Sequence, residues 1–226
     1  MQSCCRRFLQ DRMLKGPVQT GPFSLRGSGI GIFLGLVLAL LPAGGQAAMY
    51  GDTSERRSFL LSIYIGKNAL PGVSSYERWE MARRIVIESD RQGIPLYLAV
   101  AIAQQESRFN PRAINRDSRD YGLYQIHFAF WKSYFARREP GGLKPLSPDD
   151  LLSIPVNVRV GLLILGHDYE LERGNLVRTI GLYCGRKGEE RQVYVGHVLK
   201  NSFAFLSFMT RHRPERSPED SVTRER

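Results

Sequence analysis

Cysteine is nearly absent from this chain of 226 residues. There are three, and two of them, Cys4 and Cys5, stand among the first five positions. Beyond residue 47 only Cys184 remains, which excludes an internal disulfide there, so a core in that region must stand by packing alone. Histidine is scarce too: four residues, with no pair at metal-ligand spacing, so no metal site is expected. A glycine-rich phosphate loop and internal repeats are also missing, and no cofactor is expected. No stretch alternates convincingly between apolar and polar residues, which leaves helices as the material of the fold. Acidic charge is in short supply, with 22 Asp and Glu against 32 Lys and Arg and a net charge of +10. A basic balance points to an anionic partner without choosing among nucleic acid, a membrane surface and an acidic polymer.

Hydrophobic residues make up 42% of the chain and charged residues 24%, a composition that supports a folded core. The charge is concentrated at the start. Arg6, Arg7, Arg12, Lys15 and Arg26 face a single acid, Asp11, and no charge at all occurs from Gly27 to Gly51. The apolar heart runs from Ile30 to Leu41, followed by Pro42 and small residues to Ala48. A basic segment, an apolar run and a small-residue zone form a secretory signal, with Gly45-Gln46-Ala47 as the expected cleavage motif. The alternative is an uncleaved anchor, since the uncharged run is long enough to span a bilayer. Without residues 1–47 the net charge drops to +6. An exported protein has little access to nucleic acid, and a membrane is a partner only where the signal stays uncut.

Helical segments are expected over 54–67, with Phe59, Leu60, Ile63 and Tyr64 on one face, and from the capping box Ser74-x-x-Glu77 to about Gln92. Trp79, Ala82, Ile85 and Val86 mark the buried side of the latter. Further helices are expected over 95–107, Leu123–Arg137, Pro155–Leu171, 175–184 and about 190–210. Residues 108–120 are polar and loop-like, 139–150 form a Pro/Gly connector, and 211–226 have almost no apolar residue and are expected to be a disordered tail.

Glu106 is the first candidate for chemistry. Ala99, Ile102 and Ala103 precede it by seven, four and three residues, so it continues the apolar face of its helix. It also falls in the last turn, where the helix dipole disfavours negative charge. Burial and dipole both raise a carboxyl pKa, as a general acid near neutral pH requires. A frayed surface Glu is the plainer alternative.

The residues around it form an ordered series. Glu106-Ser107 and Asn110-Pro111 are followed by Tyr121-Gly122-Leu123-Tyr124-Gln125. Asn157-Val-Arg-Val-Gly161, Gly181-Leu182-Tyr183-Cys184-Gly185 and Tyr194-Val195 come next. The series resembles the soluble lytic transglycosylase (SLT) family, over about residues 75–202. Its pattern is a helix ending in Glu-Ser, an Asn-Pro loop, a Gly-Leu-Met-Gln-like segment, an Asn-x-x-x-Gly helix and an Ala-Tyr-Asn-Ala-Gly segment.

The resemblance implies an all-α, mainly helical, lysozyme-like single domain that cleaves the glycan strand of peptidoglycan. Glu106 would act as acid and then as base, leaving a 1,6-anhydro sugar. It further implies that Ser107 orients substrate or acid, that Gln125 faces the sugar, and that Tyr183 is a cleft residue near the acid. Tyr124 stands where the family commonly has Met and would pack beneath a sugar. Tyr121, Gly122 and Tyr194 belong to the same set of substrate contacts. Taken as residues alone, Ser107 also fits a hydroxyl bonded to its helix, Gln125 an ordinary polar residue at a helix start, and either Tyr half-buried packing.

Cys184 departs from the pattern, which has Asn there, and a thiol does not replace the hydrogen bonds of an amide. Asp117 and Asp120 are expected to cap their loop, though either is placed to hold a water and turn the enzyme into a hydrolase. Phe128, Trp131 and Phe135 are expected in the core, with room for one to line a sugar subsite. The expected organisation is a signal over 1–47, a helical lead-in over 48–74, the catalytic domain over 75–210 and a tail over 211–226. Export would deliver the protein to the periplasm or beyond, and small domains of this type often serve a secretion or flagellar machine. A hydrolytic lysozyme, or a wall-binding module that keeps the fold without turnover, are the competing readings.

Overall fold

The computed structural model describes residues 43–129, 131–132 and 147–212. Most of the expected signal, Phe135 and most of both the 139–150 connector and the 211–226 tail lie outside these residues. The first helix, α1, spans Ala43–Asn68 and so begins well before the expected 54. Leu60, Leu61, Tyr64 and Ile65 face the core, whereas Phe59 is exposed, contrary to the face expected for it.

Helix α2, Ser75–Gln92, starts where the capping box places it. Ser74 Oγ accepts from the backbone N–H of Glu77, while the Glu77 carboxylate accepts from the Ser74 N–H at 2.9 Å. Gly93 ends it in the left-handed region, with φ of 63°. Met81, Ala82, Ile85 and Val86 are its buried stripe, and Trp79, expected among them, lies at its exposed edge. Helix α3, Leu96–Ser107, is buried continuously from Leu98 to Ala103, as a helix apolar on every side must be. Helix α4, Ile154–Leu171, begins with Pro155 in its first turn, follows the one-turn 3-10 helix Asp149–Leu152, and is the second central helix. Helices α5, Leu176–Cys184, and α6, Gly188–Arg211, complete the set.

The helices pack as a chain of neighbours. α1 lies on α2, α2 on α4, α4 on α5, α5 on α6, and α6 returns to α3. Glu106 therefore projects from the end of a helix that α6 covers. No helix among the described residues is long and apolar enough to cross a membrane.

Two expectations fail between α3 and α4. Residues 108–120 are not all loop, and Leu123 does not open a helix. Three two-residue strands, β1 (Ile114–Asn115), β2 (Asp120–Tyr121) and β3 (Ile126–His127), form a small antiparallel sheet in that order. Residues 122–125 turn between β2 and β3, and helical residues are described only at 128–129 and 131–132. The turn chemistry decides this. Gly122 has φ of 74° and Gln125 φ of 46°, conformations that break a right-handed helix wherever they fall.

Candidate active site

The end of α3 sets the position of the carboxyl. Arg108 and Phe109 both take positive φ, 52° and 58°, which stops the helix directly after Ser107. Such a conformation is unfavourable for a side chain with a Cβ. It is offset by complete burial of Phe109, whose ring meets Tyr64 edge-on at 6.4 Å. Glu106 thus stands in the final turn, facing α6.

There Tyr194 Oη donates a hydrogen bond to Glu106 Oε1. The Glu106 side chain keeps some exposure, yet protein has displaced enough water from the carboxyl to push its pKa up to about 8. Desolvation is the largest cause, and the Tyr194 bond opposes it. Cys184 and Asp120 raise the pKa further, and the Arg186 cation lowers it. A carboxyl in this state is protonated at neutral pH and ready to donate.

A second construction holds the β2–β3 turn over the core. Asn157, on α4, is 1% exposed and spends its amide entirely on this task. Its Oδ1 accepts from the Tyr124 N–H at 2.8 Å, and its Nδ2 donates to Tyr121 O at 2.9 Å and to Leu151 O at 2.7 Å. A Cβ on Gly122 would collide with Asn157 Nδ2 and Leu151 O. One on Gly161 would lie 2.5 Å from Tyr124 Cγ. The glycines of both motif segments are therefore required by close approach.

The expected contact residues divide sharply. Tyr124 does not lie beneath a sugar site: it is fully buried, and its Oη donates to Ala99 O at 3.1 Å. A bulky ring in place of Met fills the core over Gly161. Tyr183 is 4% exposed and donates to Tyr124 O at 2.9 Å, so its hydroxyl supports the turn. Ser107 Oγ donates back to Ala103 O at 3.2 Å, as a helical serine does. Gln125 sits in the turn, not at a helix start, and its Nε2 donates to Ala113 O and Gly122 O at 3.2 and 2.9 Å. Tyr121 is half-buried and Gly122 buried in the same turn. Cys184 is fully buried at the end of α5, close enough to act on Glu106. Tyr194, grouped above with the substrate contacts, is the acid's hydrogen-bond partner.

Asp120 also departs from expectation. It is no loop cap but a β2 residue, 2% exposed, whose Oδ1 lies 3.1 Å from His127 Nδ1 on β3. His127, expected on a helix, is its partner across the strands. Asp117 remains exposed. Trp131 is buried as expected, and Phe128 is partly buried against the core. The sequence signal for the strand at Asp120 is the four-residue spacing Gly122–Gln125 between Tyr121 and Ile126, a hairpin spacing with glycine.

Residues 84–193 match the model of the transglycosylase SLT domain. A segment is 40% identical over 67 residues to lysozyme C of Scophthalmus maximus, covering 27% of this chain and 47% of that protein. The fold is similar to the X-ray structure of an inactive mutant of lytic transglycosylase Slt from Pseudomonas aeruginosa. The TM-score is 0.50 at 21% identity, over 57% of this chain and 24% of that one. The 70 kDa soluble lytic transglycosylase of Escherichia coli aligns at TM-score 0.49 and 18% identity, over 70% of this chain and 29% of that one. The chain thus spans about a quarter of each of those enzymes and under half of the lysozyme.

Proposed function

We propose that the protein is a peptidoglycan lytic transglycosylase with Glu106 as its acid and base. The observation that carries this is the Glu106 carboxyl, desolvated at the end of α3 with a pKa of about 8 and held by Tyr194. The protonated carboxyl donates its proton to the oxygen linking N-acetylmuramic acid to N-acetylglucosamine. As that bond breaks, the carboxylate takes the proton of the muramic acid 6-hydroxyl, whose oxygen bonds to the anomeric carbon of the same sugar. One group serves both steps, and an internal nucleophile has the advantage of proximity over water. The export signal read in residues 1–47 brings the enzyme to the periplasm or cell surface, where its substrate lies and where an envelope-spanning secretion or flagellar machine would need the wall opened.

A second reading, hydrolysis, is favoured by one observation: Asp120 is a buried carboxylate close enough to raise the pKa of Glu106. Two carboxyl groups flanking a glycosidic bond are the equipment of a hydrolase. Mass spectrometry of muropeptides released from sacculi separates the two. Anhydro ends from wild type, lost by at least about 1000-fold in rate with Glu106→Gln, support the transglycosylase. Reducing ends identify a hydrolase. Sacculi bound but uncut by wild type would leave a wall-binding module.

A further inference from the structure

We propose that His127 is a positioning residue that holds Asp120 as an oriented carboxylate beside Glu106 and makes the net charge of the pair dependent on pH. This rests on the reading of Glu106 as the acid. Asp120 and His127 are direct partners across β2 and β3. Their side chains meet at 3.1 Å, the Asp120 side chain being 2% exposed and the His127 side chain 18%. A carboxylate only accepts, so Nδ1 carries the proton.

The surrounding charges give the pair its consequence. Asp120 acts on Glu106 from β2, Tyr194 from α6, Cys184 from the end of α5, and Arg186 from the turn that follows it. A fixed negative charge at this place stabilises the positive charge that develops on a sugar as its glycosidic bond breaks. It also discourages Glu106 from ionising. When His127 is imidazolium it cancels part of the Asp120 charge. When it is neutral it still donates through Nδ1, and Asp120 exerts its full effect. The partly exposed imidazole thus links the pH of the surroundings to a carboxylate that water barely reaches.

The test uses the full chain and two independent readouts. In an NMR titration of 15N-labelled histidine, His127 should titrate about one unit higher in wild type than in Asp120→Asn. Equal titration in the two proteins overturns the pairing. In turnover of sacculi, His127→Leu should lower kcat at least about tenfold with KM little changed. His127→Asn, which retains a donor but does not titrate, should recover most of kcat and lose the His-dependent limb of the pH profile. In an Asp120→Asn background His127→Leu should add nothing. Effects that multiply instead would mean that the two residues act separately, and overturn the proposal. If wild type releases no product, the reading of Glu106 falls, and the histidine titration alone decides whether the pair exists.

Discussion

Glu106 keeps its proton at neutral pH because protein has replaced its water, and Tyr194 limits how far that goes. The Tyr194 hydroxyl donates to the carboxylate and so favours the charged form. Tyr194→Phe removes that preference. The acid should then stay protonated to higher pH, moving the basic limb of the kcat/KM profile upward by about one unit, with kcat about tenfold lower. A pH–rate profile of both proteins checks this. The desolvation of the Glu106 carboxyl was legible in the sequence, since Ala99, Ile102 and Ala103 place position 106 on the apolar side of its helix. Its partner was not. Tyr194 lies 88 residues away, and only the packing of α6 on α3 brings it near. Tyr124 misled for a related reason: a motif fixes the path of the backbone, but a larger side chain at one of its positions follows the space available, and here that space is over Gly161.

At the scale of elements, the β2–β3 turn is suspended from α4 by one amide. Asn157→Ala leaves the Tyr124 N–H and the Tyr121 and Leu151 carbonyls without their partner. Loss of about 2–5 kcal/mol is expected in urea denaturation, together with lower activity, because the turn next to Asp120 loses its anchor. Helices were legible wherever local chemistry marks an end. The Ser74–Glu77 box, Gly93, Pro155 and Gly185 all do so. The sheet was hidden because strands of two residues are too short to alternate, and aromatics after Leu123 imitate a helical face. What defines that region is positive φ at Gly122 and Gln125, and only the glycine advertises it.

Across the whole molecule, two acids whose pKa is raised by desolvation, Glu106 and Asp168, work against stability at neutral pH. Asp168 on α4 is fully buried with neither oxygen hydrogen-bonded among the described residues. His167 Nδ1 stays 3.6 Å away, beyond hydrogen-bond length. Desolvation, the main cause, raises the Asp168 pKa to about 6. The folded state therefore binds more protons than the unfolded state between the ordinary carboxyl pKa and these raised values. Stability is greatest below that window and falls as pH rises through 4 to 6 for Asp168 and on to about 8 for Glu106. Asp168→Asn should flatten the lower part, worth up to about 3 kcal/mol, and Glu106→Gln the upper part, in thermal melts recorded from pH 4 to 9. Burial has one more outcome, at Cys184. Beyond residue 47 it is the lone sulfhydryl, sealed beneath the carboxyl at the end of α5. A thiol-modifying dye therefore reacts with that part of the chain only when this corner of the molecule breathes, so its labelling clock times the loosening of the packing around Glu106, and under the proposed function a glycan strand bound there would slow it.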